Sequence, residues 1–474
     1  MIKIYNTLTK QKEEFLPLKP PHVNMYTCGV TVYDDCHIGH ARSLYIFDVI
    51  RRYLQYRGFD IKLVRNITDV DDKIINRAKE SNTDPKELVD KYIAAYYRDM
   101  AALGVSRADV EPRATENIPE MIKYIQGLID KGFAYTTATG VYFSVRKFPG
   151  YGKLSGQSVD QMLEGVRKTG DETKNDPLDF ALWKAAKTEE PFWESPWGRG
   201  RPGWHIECSV MSQKYLGVET LDIHAGGRDL VFPHHENEIA QTEALTGKPF
   251  AKYWIHHGLL TINQQKMSKS LGNFVTIQNA IKDHHPDALK IFYLKANYSS
   301  SVDFSDKAMM EARKDYRSMA LLVDNIKEIA QKAAPQENPD LKKTFNAFIS
   351  AMDDDFHTPV ALSHLRRLIG DTNTLKQPSQ TAYGYSLIKE ALDIFGLSPE
   401  TADLSRDRRL ATEESKGFKE AFLQDGRVNE LIKERIRLKK EKRYTQADEI
   451  RKMLENQGIE VLDKEDGTTA WRLK

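Results

Sequence analysis

The sequence has little that would point to a secreted, membrane-embedded or uniformly basic protein. Its 474 residues contain only three cysteines, at Cys28, Cys36 and Cys208. So few cysteines exclude a disulfide framework and favour a reducing cytoplasm. No apolar run is long enough to cross a bilayer, and the first residues lack the apolar core of a secretory signal. The formal net charge is +1, so any contact with nucleic acid must come from local basic patches.

The first part of the chain alternates between predicted strands and helices. Residues 23–32 and 60–67 are apolar and β-branched, which predicts two buried strands. The acidic stretch 68–72 suits the cap of the next helix, and a further helix is predicted at 85–100. This order predicts an α/β fold with a Rossmann-type parallel sheet that binds a nucleotide.

An insertion is predicted to divide this sheet. A helix near 119–131 and a hairpin at 134–145 depart from the parallel pattern, so we interpret 113–200 as an inserted α+β segment. The parallel-sheet pattern then resumes, with expected segments at 204–209, 221–230 and 253–258.

The second part of the chain is predicted to be largely helical. A helical bundle is expected from helices at 307–332, 341–352, 359–369 and 383–395. Residues 402–416 are charged and poor in apolar side chains, which indicates a linker. The tail is predicted to be a small mixed α/β domain. It comprises a basic helix at 427–443, a helix at 446–457 between a Thr445 cap and a Gly458 stop, and a closing hairpin that turns at 466–467.

Two histidines lie where the first predicted strand meets its helix. His37 and His40 flank Ile-Gly in the stretch H-I-G-H. A helix N-terminus after a parallel strand binds anions, because its free N–H groups and its dipole point at the ligand. Both histidines are equally well explained as local helix caps. Far downstream, the loop K-M-S-K-S carries Lys266 and Lys269, compact cations that suit a polyphosphate.

Two cysteines, a histidine and a glutamate have the chemistry of a zinc site. Cys28 is expected to end the first strand, and Cys208 lies in G-W-H-I-E-C. His234 and Glu238 are four residues apart at the start of a predicted helix, so they share one face. Other residues compete on chemistry alone, namely His205, Glu207, His224 and His235. The alternative without a metal is a pair of small buried cysteines beside a helix cap.

The H-I-G-H and K-M-S-K-S stretches, in this order and separation, resemble the signature motifs of class I aminoacyl-tRNA synthetases. The stretches G-W-H-I-E-C, G-G-R-D-L-V-F-P-H-H-E-N-E and Y-G-K-L-S-G are similar to the cysteinyl-tRNA synthetase family in particular. The resemblance runs nearly end to end. It implies a zinc ion held by Cys28, Cys208, His234 and Glu238, and it gives Cys36 no role.

This resemblance implies ATP-dependent ligation of L-cysteine to tRNA(Cys) through a cysteinyl-adenylate, with Mg²⁺ accompanying ATP. His37, His40, Lys266 and Lys269 would be the catalytic residues at the ATP phosphates. Gly227 and Asp229 would contact the ribose. The residues expected at the bound cysteine are Cys28, Gly29, Thr68 and Trp204.

Zinc would also explain how cysteine is distinguished from serine. Apolar packing separates such near-isosteres only by roughly 10- to 200-fold, whereas zinc binds a soft thiolate far better than a hydroxyl. We therefore expect a position for the substrate thiolate on the zinc, with one protein ligand, Glu238, bound loosely. An editing domain would not be needed.

The resemblance further divides the chain into six regions. These are the first half of the Rossmann catalytic domain (1–112), a connective insertion (113–200), the second half (201–260), a stem-contact region with the lysine loop (261–306), the helical bundle (307–401) and an anticodon-binding domain (402–474). Basic residues at 427–443 would contact tRNA phosphates, and Trp471 would contact unstacked bases. The family element D-A-L-R reads Asp287-Ala-Leu-Lys290 here, which leaves open how the bundle docks.

Three other functions fit parts of this pattern. A cysteine ligase that acts on an amino sugar would share the zinc and phosphate motifs but has no need of residues 402–474. A catalytically silent tRNA-binding paralogue would not need His37, His40, Lys266 and Lys269. A structural zinc protein would leave the lysine loop unexplained. The family expectation is a monomer.

Overall fold

A computed structural model describes residues 1–159, 161–162, 173–267, 272–399, 426–441, 443–456, 459–463 and 469–473. These residues fall into two compact units, Met1–Ala402 and Asp403–Lys474. Within the described ranges, none of the helices is both long enough and apolar enough to span a bilayer.

The strands and helices are numbered in chain order. The strands are β1 (Lys3–Asn6), β2 (Gln11–Glu14), β3 (His22–Thr31), β4 (Asp60–Thr68), β5 (Ala134–Thr137), β6 (Gly140–Phe143), β7 (Phe180–Ala185), β8 (Gly200–Pro202), β9 (Leu221–Gly227), β10 (Ala251–His257), β11 (Leu260–Ile262), β12 (Gln265–Lys266), β13 (Val302–Phe304), β14 (Ile459–Asp463) and β15 (Thr469–Leu473). The helices are α1 (Ile38–Tyr56), α2 (Asp72–Ser81), α3 (Pro85–Leu103), α4 (Ile118–Asp130), α5 (Trp204–Leu216), α6 (Glu236–Thr246), α7 (Ile277–Asp283), α8 (Pro286–Leu294), α9 (Asp306–Ala330), α10 (Pro339–Asp353), α11 (Thr358–Asn373), α12 (Pro378–Phe395), α13 (Gly426–Lys440) and α14 (Tyr444–Asn456).

The central sheet of the first unit is parallel, as the sequence predicted. Its strand order is β10-β9-β3-β4, so the first predicted strand lies inside the sheet. Helices α1, α5 and α6 connect or flank these strands. The buried side chains Tyr26, Val64, Leu221 and Trp254 pack together in its core. The carboxyl ends of β3, β4, β9 and β10 therefore meet along one edge, where such folds bind ligands.

One predicted segment of this sheet is wrong. Residues 204–209 do not form a strand, because they begin helix α5. Gly203 is the extended residue before this helix, and a Cβ there would lie 2.0 Å from the Ala181 carbonyl oxygen. Nearly every side chain of the first turns is buried, so the run lacks the polar face that marks a helix in a sequence.

The inserted strands form a second, antiparallel sheet of order β5-β6-β7-β8. Helix α4 packs on it through Met121, Ile125 and Leu128, which are buried. Asp72 ion-pairs with Lys184 and Arg201 from this sheet. Asp71 caps α2 by accepting a bond from the Lys73 amide at 2.9 Å. Capping therefore explains Asp71, while Asp72 ties the insertion to the central domain.

Helices α9 to α12 form the predicted bundle, and Lys290 shows how it docks. The Lys290 Nζ donates to Asp287 Oδ1 at 3.0 Å and to the Gly396 carbonyl oxygen at 2.7 Å. The other Asp287 oxygen accepts a bond from the Ser398 amide at 2.7 Å. Both charged residues are buried. Lys290 thus links helix α8 to the end of α12 through two hydrogen bonds, so the docking does not require the guanidinium of an arginine at this position.

The second unit contains α13, α14 and the antiparallel pair β14–β15. Ile432, Leu454 and Val461 form its small apolar core. The predicted cap at Thr445 is wrong, because α14 already begins at Tyr444. The predicted linker at 402–416, the Gly458 stop and the turn at 466–467 lie outside the described residues. The six-region division of the chain stays a prediction.

Candidate active site and metal cluster

A bulge in the central sheet shapes the surroundings of Cys28. The pairing of β3 with β4 shifts register between Thr27 and Val30. Inside that bulge, a Cβ on Gly29 would lie only 1.6 Å from the Asn66 carbonyl oxygen. The Gly29 amide donates to Asn66 Oδ1 at 2.9 Å. Only glycine allows β3 and β4 to come this close at position 29. Cys28 lies within β3 and not at its end, where the sequence had led us to expect it.

The four predicted zinc ligands converge. The sulfur atoms of Cys28 and Cys208 are 3.8 Å apart, and Cys208 Sγ lies 3.6 Å from His234 Nε2. His234 Nε2 lies 2.9 Å from Glu238 Oε1, as expected for side chains one turn apart. One ligand atom from each of the four residues lies within 4.8 Å of every other. Cys28 is half-buried and the other three are buried.

The donor set fits a zinc ion. A sulfur separation of 3.8 Å is far too long for a disulfide. Two thiolates bound tetrahedrally at the usual zinc–sulfur distance lie about 3.8 Å apart. Burial disfavours the Cys208 thiolate, but hydrogen bonds with Cys28 and His234 outweigh it and lower the pKa of Cys208 to about 6. The thiolate is the form that binds metal.

A second set of side chains shares two members with this cluster. Cys28, His224, His235 and Glu238 also come within 4.8 Å of one another. His224 Nε2 lies 2.7 Å from Glu238 Oε2, and His235 Nε2 lies 3.2 Å from Cys28 Sγ. His235 in turn contacts His256, 2.8 Å away. The imidazoles of His224 and His235, which the sequence offered as alternative ligands, therefore pack against the four predicted ligands.

The remaining competitors surround the cluster. His205 Nδ1 lies 2.9 Å from His234 Nδ1. Glu207 is buried and accepts a hydrogen bond from the Thr68 hydroxyl at 2.6 Å. The Trp204 ring stacks on His234 with centroids 4.1 Å apart and is 38% exposed, so it covers one side of the cluster. Thr68 and Trp204 thus lie beside the candidate ligands.

The H-I-G-H stretch caps α1. His37 Nδ1 accepts bonds from the amides of Gly39 at 3.0 Å and His40 at 3.3 Å, and the two imidazole rings stack 3.7 Å apart. Burial lowers the pKa of His37 to about 4, although the Asp229 carboxylate acts in the opposite direction. Burial also lowers the pKa of His40. A neutral ring that accepts through Nδ1 carries its proton on Nε2, so His37 presents an N–H donor.

The lysine loop returns to the H-I-G-H turn. The Ile38 amide donates to the Val275 carbonyl oxygen at 3.1 Å, and the Ile277 amide donates to the Cys36 carbonyl oxygen at 2.8 Å. The Met267 methyl group lies 3.5 Å from where a Gly39 Cβ would be. Lys266 is exposed at the end of β12. Lys269 lies outside the described residues, so the structure places only the first of the two lysines.

Gly227 and Asp229 lie at the carboxyl end of β9. A Cβ on Gly227 would lie 2.4 Å from Asp229 Oδ1 and 3.5 Å from His257 Nε2. The charge of Asp229 acts on both His37 and His257. The ribose candidates and the H-I-G-H turn therefore share one region of the sheet edge.

Sequence reasoning missed Asn66, which joins the parts of this site. Its Oδ1 accepts from the Gly29 amide and lies 3.7 Å from Cys208 Sγ, while its Nδ2 donates to Thr68 Oγ1 at 3.2 Å. The available signal was an asparagine inside a predicted buried strand, where its side chain needs partners.

The fold and this site define a class I aminoacyl-tRNA synthetase. A family described as tRNA synthetases class I (C) catalytic domain matches residues 14–314, and one described as DALR domain matches residues 347–398. The chain is also similar to the Mycobacterium tuberculosis methionyl-tRNA synthetase in complex with methionyl-adenylate, with a TM-score of 0.58. That match covers 79% of this chain and 89% of the other, and at 13% identity it shows the fold alone.

Relatives that match over nearly the whole chain show which synthetase family it belongs to. A cysteine–tRNA ligase of Aquifex aeolicus is 47% identical over 99% of this chain and 99% of its own length. A cysteine–tRNA ligase of Thermodesulfovibrio yellowstonii is 48% identical over 100% of both. The chain belongs to the cysteine–tRNA ligase family.

Proposed function

We propose that this chain joins L-cysteine to tRNA(Cys) in two steps, through a cysteinyl-adenylate. The observation that carries the proposal is the meeting of two thiols, an imidazole and a carboxylate at the same sheet edge as the H-I-G-H turn. The first group of side chains suits the substrate thiol, and the second suits the ATP phosphates. Membership of the cysteine–tRNA ligase family supports the pairing of these two sites.

In the first step, a carboxylate oxygen of cysteine attacks the α-phosphorus of ATP, and pyrophosphate leaves with its Mg²⁺. The step needs stabilisation of charge on the phosphates rather than proton transfer. His37 and His40 would do this as neutral donors, because burial lowers the pKa of both rings. Lys266 and Lys269 would hold the departing phosphates, and Gly227 and Asp229 would hold the ribose.

In the second step, a terminal ribose hydroxyl of the tRNA attacks the activated carbonyl carbon, and AMP leaves. The second unit offers a basic helix, α13, for the tRNA backbone. The described basic side chains of α13 differ in how accessible they are to a phosphate. Arg435 is 1% exposed, and Arg437 pairs with Glu434 at 2.6 Å, whereas Lys433 is exposed. We assign the phosphate contact on the described part of this helix to Lys433.

Cys28, Cys208, His234 and Glu238 would hold a zinc ion. When bound, zinc supplies a soft Lewis acid that prefers the thiolate of cysteine to the hydroxyl of serine. The protein holds Glu238 from both sides, because His224 contacts one carboxylate oxygen at 2.7 Å and His234 the other at 2.9 Å. Glu238 can therefore leave the ligand set without losing its own partner at His224. Gly29, Thr68 and Trp204 would line the space for the rest of the amino acid.

The test is aminoacylation of total tRNA by the zinc-loaded protein, with labelled cysteine and, in parallel, labelled serine. The proposal predicts that cysteine alone is attached. Cysteine-dependent pyrophosphate exchange without charged tRNA would instead favour a ligase that acts on an amino sugar. Failure of both steps in zinc-loaded protein would contradict the proposal. The monomeric state and the cytoplasmic location stay predictions.

A further inference from the structure

One buried arginine near the H-I-G-H turn has no part in the proposed function. Arg42 lies in α1, two residues after His40, and is 0% exposed. Among the described residues, its Nε has no hydrogen-bond partner and no carboxylate acts on its charge. Burial lowers the pKa of Arg42 to about 10, so the guanidinium stays charged at neutral pH. Burial of a cation without an opposite charge is costly unless several acceptors hold it.

Four backbone carbonyl groups hold this guanidinium, two from each of two chain segments. Its Nη1 donates to the carbonyl oxygens of Gly258 at 2.6 Å and Leu259 at 2.9 Å. Its Nη2 donates to those of Tyr298 at 3.2 Å and Ser300 at 2.6 Å. The two segments lie very close together, since a Cβ on Gly258 would lie 2.3 Å from the Ser300 carbonyl carbon. Arg42 therefore joins both segments to α1.

These two segments lead directly into the sheet that carries Lys266. Residues 258–259 precede β11, and residues 298–300 precede β13. Strand β11 lies between β13, with which it is parallel, and β12. Thr261 in β11 pairs with Lys266 in β12. The position of Lys266 relative to α1 therefore depends on how the beginnings of β11 and β13 are held.

A second arginine donates to the same turn at 298–300. Arg228 lies between the two ribose candidates, Gly227 and Asp229, and its Nη2 donates to the Ser299 carbonyl oxygen at 2.8 Å. Unlike Arg42, it is exposed. The turn thus receives hydrogen bonds both from the helix that begins at the H-I-G-H turn and from the residue that follows β9.

We propose that Arg42 is a positioning residue that sets Lys266 relative to the H-I-G-H turn. Its planar fork of donors joins α1 to the beginnings of β11 and β13, so that the histidines and Lys266 meet the phosphates of one ATP molecule in a fixed geometry. The inference rests on the proposed function, because it takes Lys266 as a contact for the departing phosphates. It predicts that a substitution of Arg42 acts through Lys266.

The test is a double-mutant cycle, measured by cysteine-dependent pyrophosphate exchange with the zinc-loaded full chain. Arg42→Lys retains the charge, but its three donors share one nitrogen atom and cannot satisfy four carbonyl groups. The kcat for exchange should fall about 10- to 100-fold in this variant. The affinity for AMP, which lacks the β and γ phosphates, should change less than about twofold. In a Lys266→Ala background, Arg42→Lys should lower kcat by no more than about twofold.

The matched control is Arg65→Lys, at another arginine that is buried. Arg65 donates to the hydroxyl groups of Thr27 and Tyr96, at 3.2 and 3.4 Å, and not to the segments before β11 and β13. Its effect on exchange should be the same with and without the Lys266 side chain. Arg228→Gln removes an exposed donor to the turn, so it should fold even if Arg42→Lys does not. Its smaller effect should also depend on Lys266.

The outcomes separate this inference from the proposed function. Equal effects of Arg42→Lys with and without the Lys266 side chain would show a merely structural residue and overturn the inference, as would a large loss of AMP affinity. If Arg42→Lys does not fold, additivity of Arg228→Gln with Lys266→Ala overturns it. If Lys266→Ala alone leaves exchange unchanged, the assignment of Lys266 fails and this inference fails with it. If the unmodified protein shows no cysteine-dependent exchange, the proposed function itself fails, and this inference with it.

Discussion

At the residue scale, the structure shows the helix cap at the H-I-G-H turn, and the cap leaves the proposed phosphate contact possible. His37 caps α1 through Nδ1, and the same bonds fix its tautomer so that Nε2 carries the proton. Burial keeps the ring neutral at physiological pH. The observed cap is therefore compatible with the proposed donation to phosphate by the same imidazole.

Buried neutral histidines should make the protein sensitive to acid. Burial lowers the pKa of His257 to about 4, below its value of about 6.5 in an unfolded chain. The unfolded state then binds more protons at pH 5.5, so the folded state loses stability as the pH falls. We expect the free energy of unfolding to fall by about 1 kcal/mol more in the unmodified protein than in His257→Asn between pH 7.5 and 5.5. Parallel stability curves for the two proteins would contradict this assignment.

Cys208 and Cys36 allow a matched test of the metal set. Both thiols are buried, but only Cys208 lies in the cluster. Cys208→Ser should lose the zinc and reduce cysteine-dependent pyrophosphate exchange by roughly 100-fold or more, with ATP binding retained. Cys36→Ser should keep both. The measurements are the zinc content and the rate of pyrophosphate exchange of the two variants. If Cys208→Ser also loses its circular dichroism signal, the metal is structural.

At the element scale, the bulge in β3 is the feature on which the site depends. Gly29→Ala would place a Cβ 1.6 Å from the Asn66 carbonyl oxygen, so β3 and β4 could not keep their pairing. We expect a loss of about 3 kcal/mol in stability, together with loss of zinc binding. Gly370→Ala, inside α11 with open space around it, is the control and should be neutral or stabilising. Similar thermal stability of both variants would contradict this account of the bulge.

The elements differ in how well the sequence predicted them. The strands at β3, β4, β9 and β10 were predicted because parallel strands are apolar on both faces. The stretch that begins α5 shows no helical periodicity, because that helix is buried on nearly all sides and lacks a polar face. Periodicity does not separate these two cases.

The residues of the candidate site also include some that the sequence indicated and some that it did not. Residue chemistry and family resemblance pointed to Cys28, Cys208, His234 and Glu238, which the structure brings together. No local pattern indicates that Asn66 joins Gly29 to Thr68, or that Thr68 hydrogen-bonds to Glu207, because both links connect residues distant in the chain. The convergence of Cys28, His224, His235 and Glu238 likewise depends on contacts between residues far apart in the chain.

At the scale of the whole molecule, the residues proposed to activate cysteine and the residues proposed to bind tRNA belong to different units. The candidate zinc ligands and the residues proposed to bind the ATP phosphates belong to the first unit, whereas α13 belongs to the second. Lys433→Gln should raise the KM for tRNA and reduce the salt dependence of binding by about one counterion. Pyrophosphate exchange should not change. Arg437→Gln, whose charge is engaged by Glu434, is the matched control and should have the smaller effect. Equal effects of both variants would contradict the assignment.

In the proposed mechanism, the thiolate of the substrate completes the zinc site. X-ray absorption at the zinc edge counts the sulfur neighbours of the metal directly. We expect two sulfur neighbours, from Cys28 and Cys208, in the zinc-loaded protein alone or with serine, and a third when cysteine is added. A count that stays at two with saturating cysteine would contradict it.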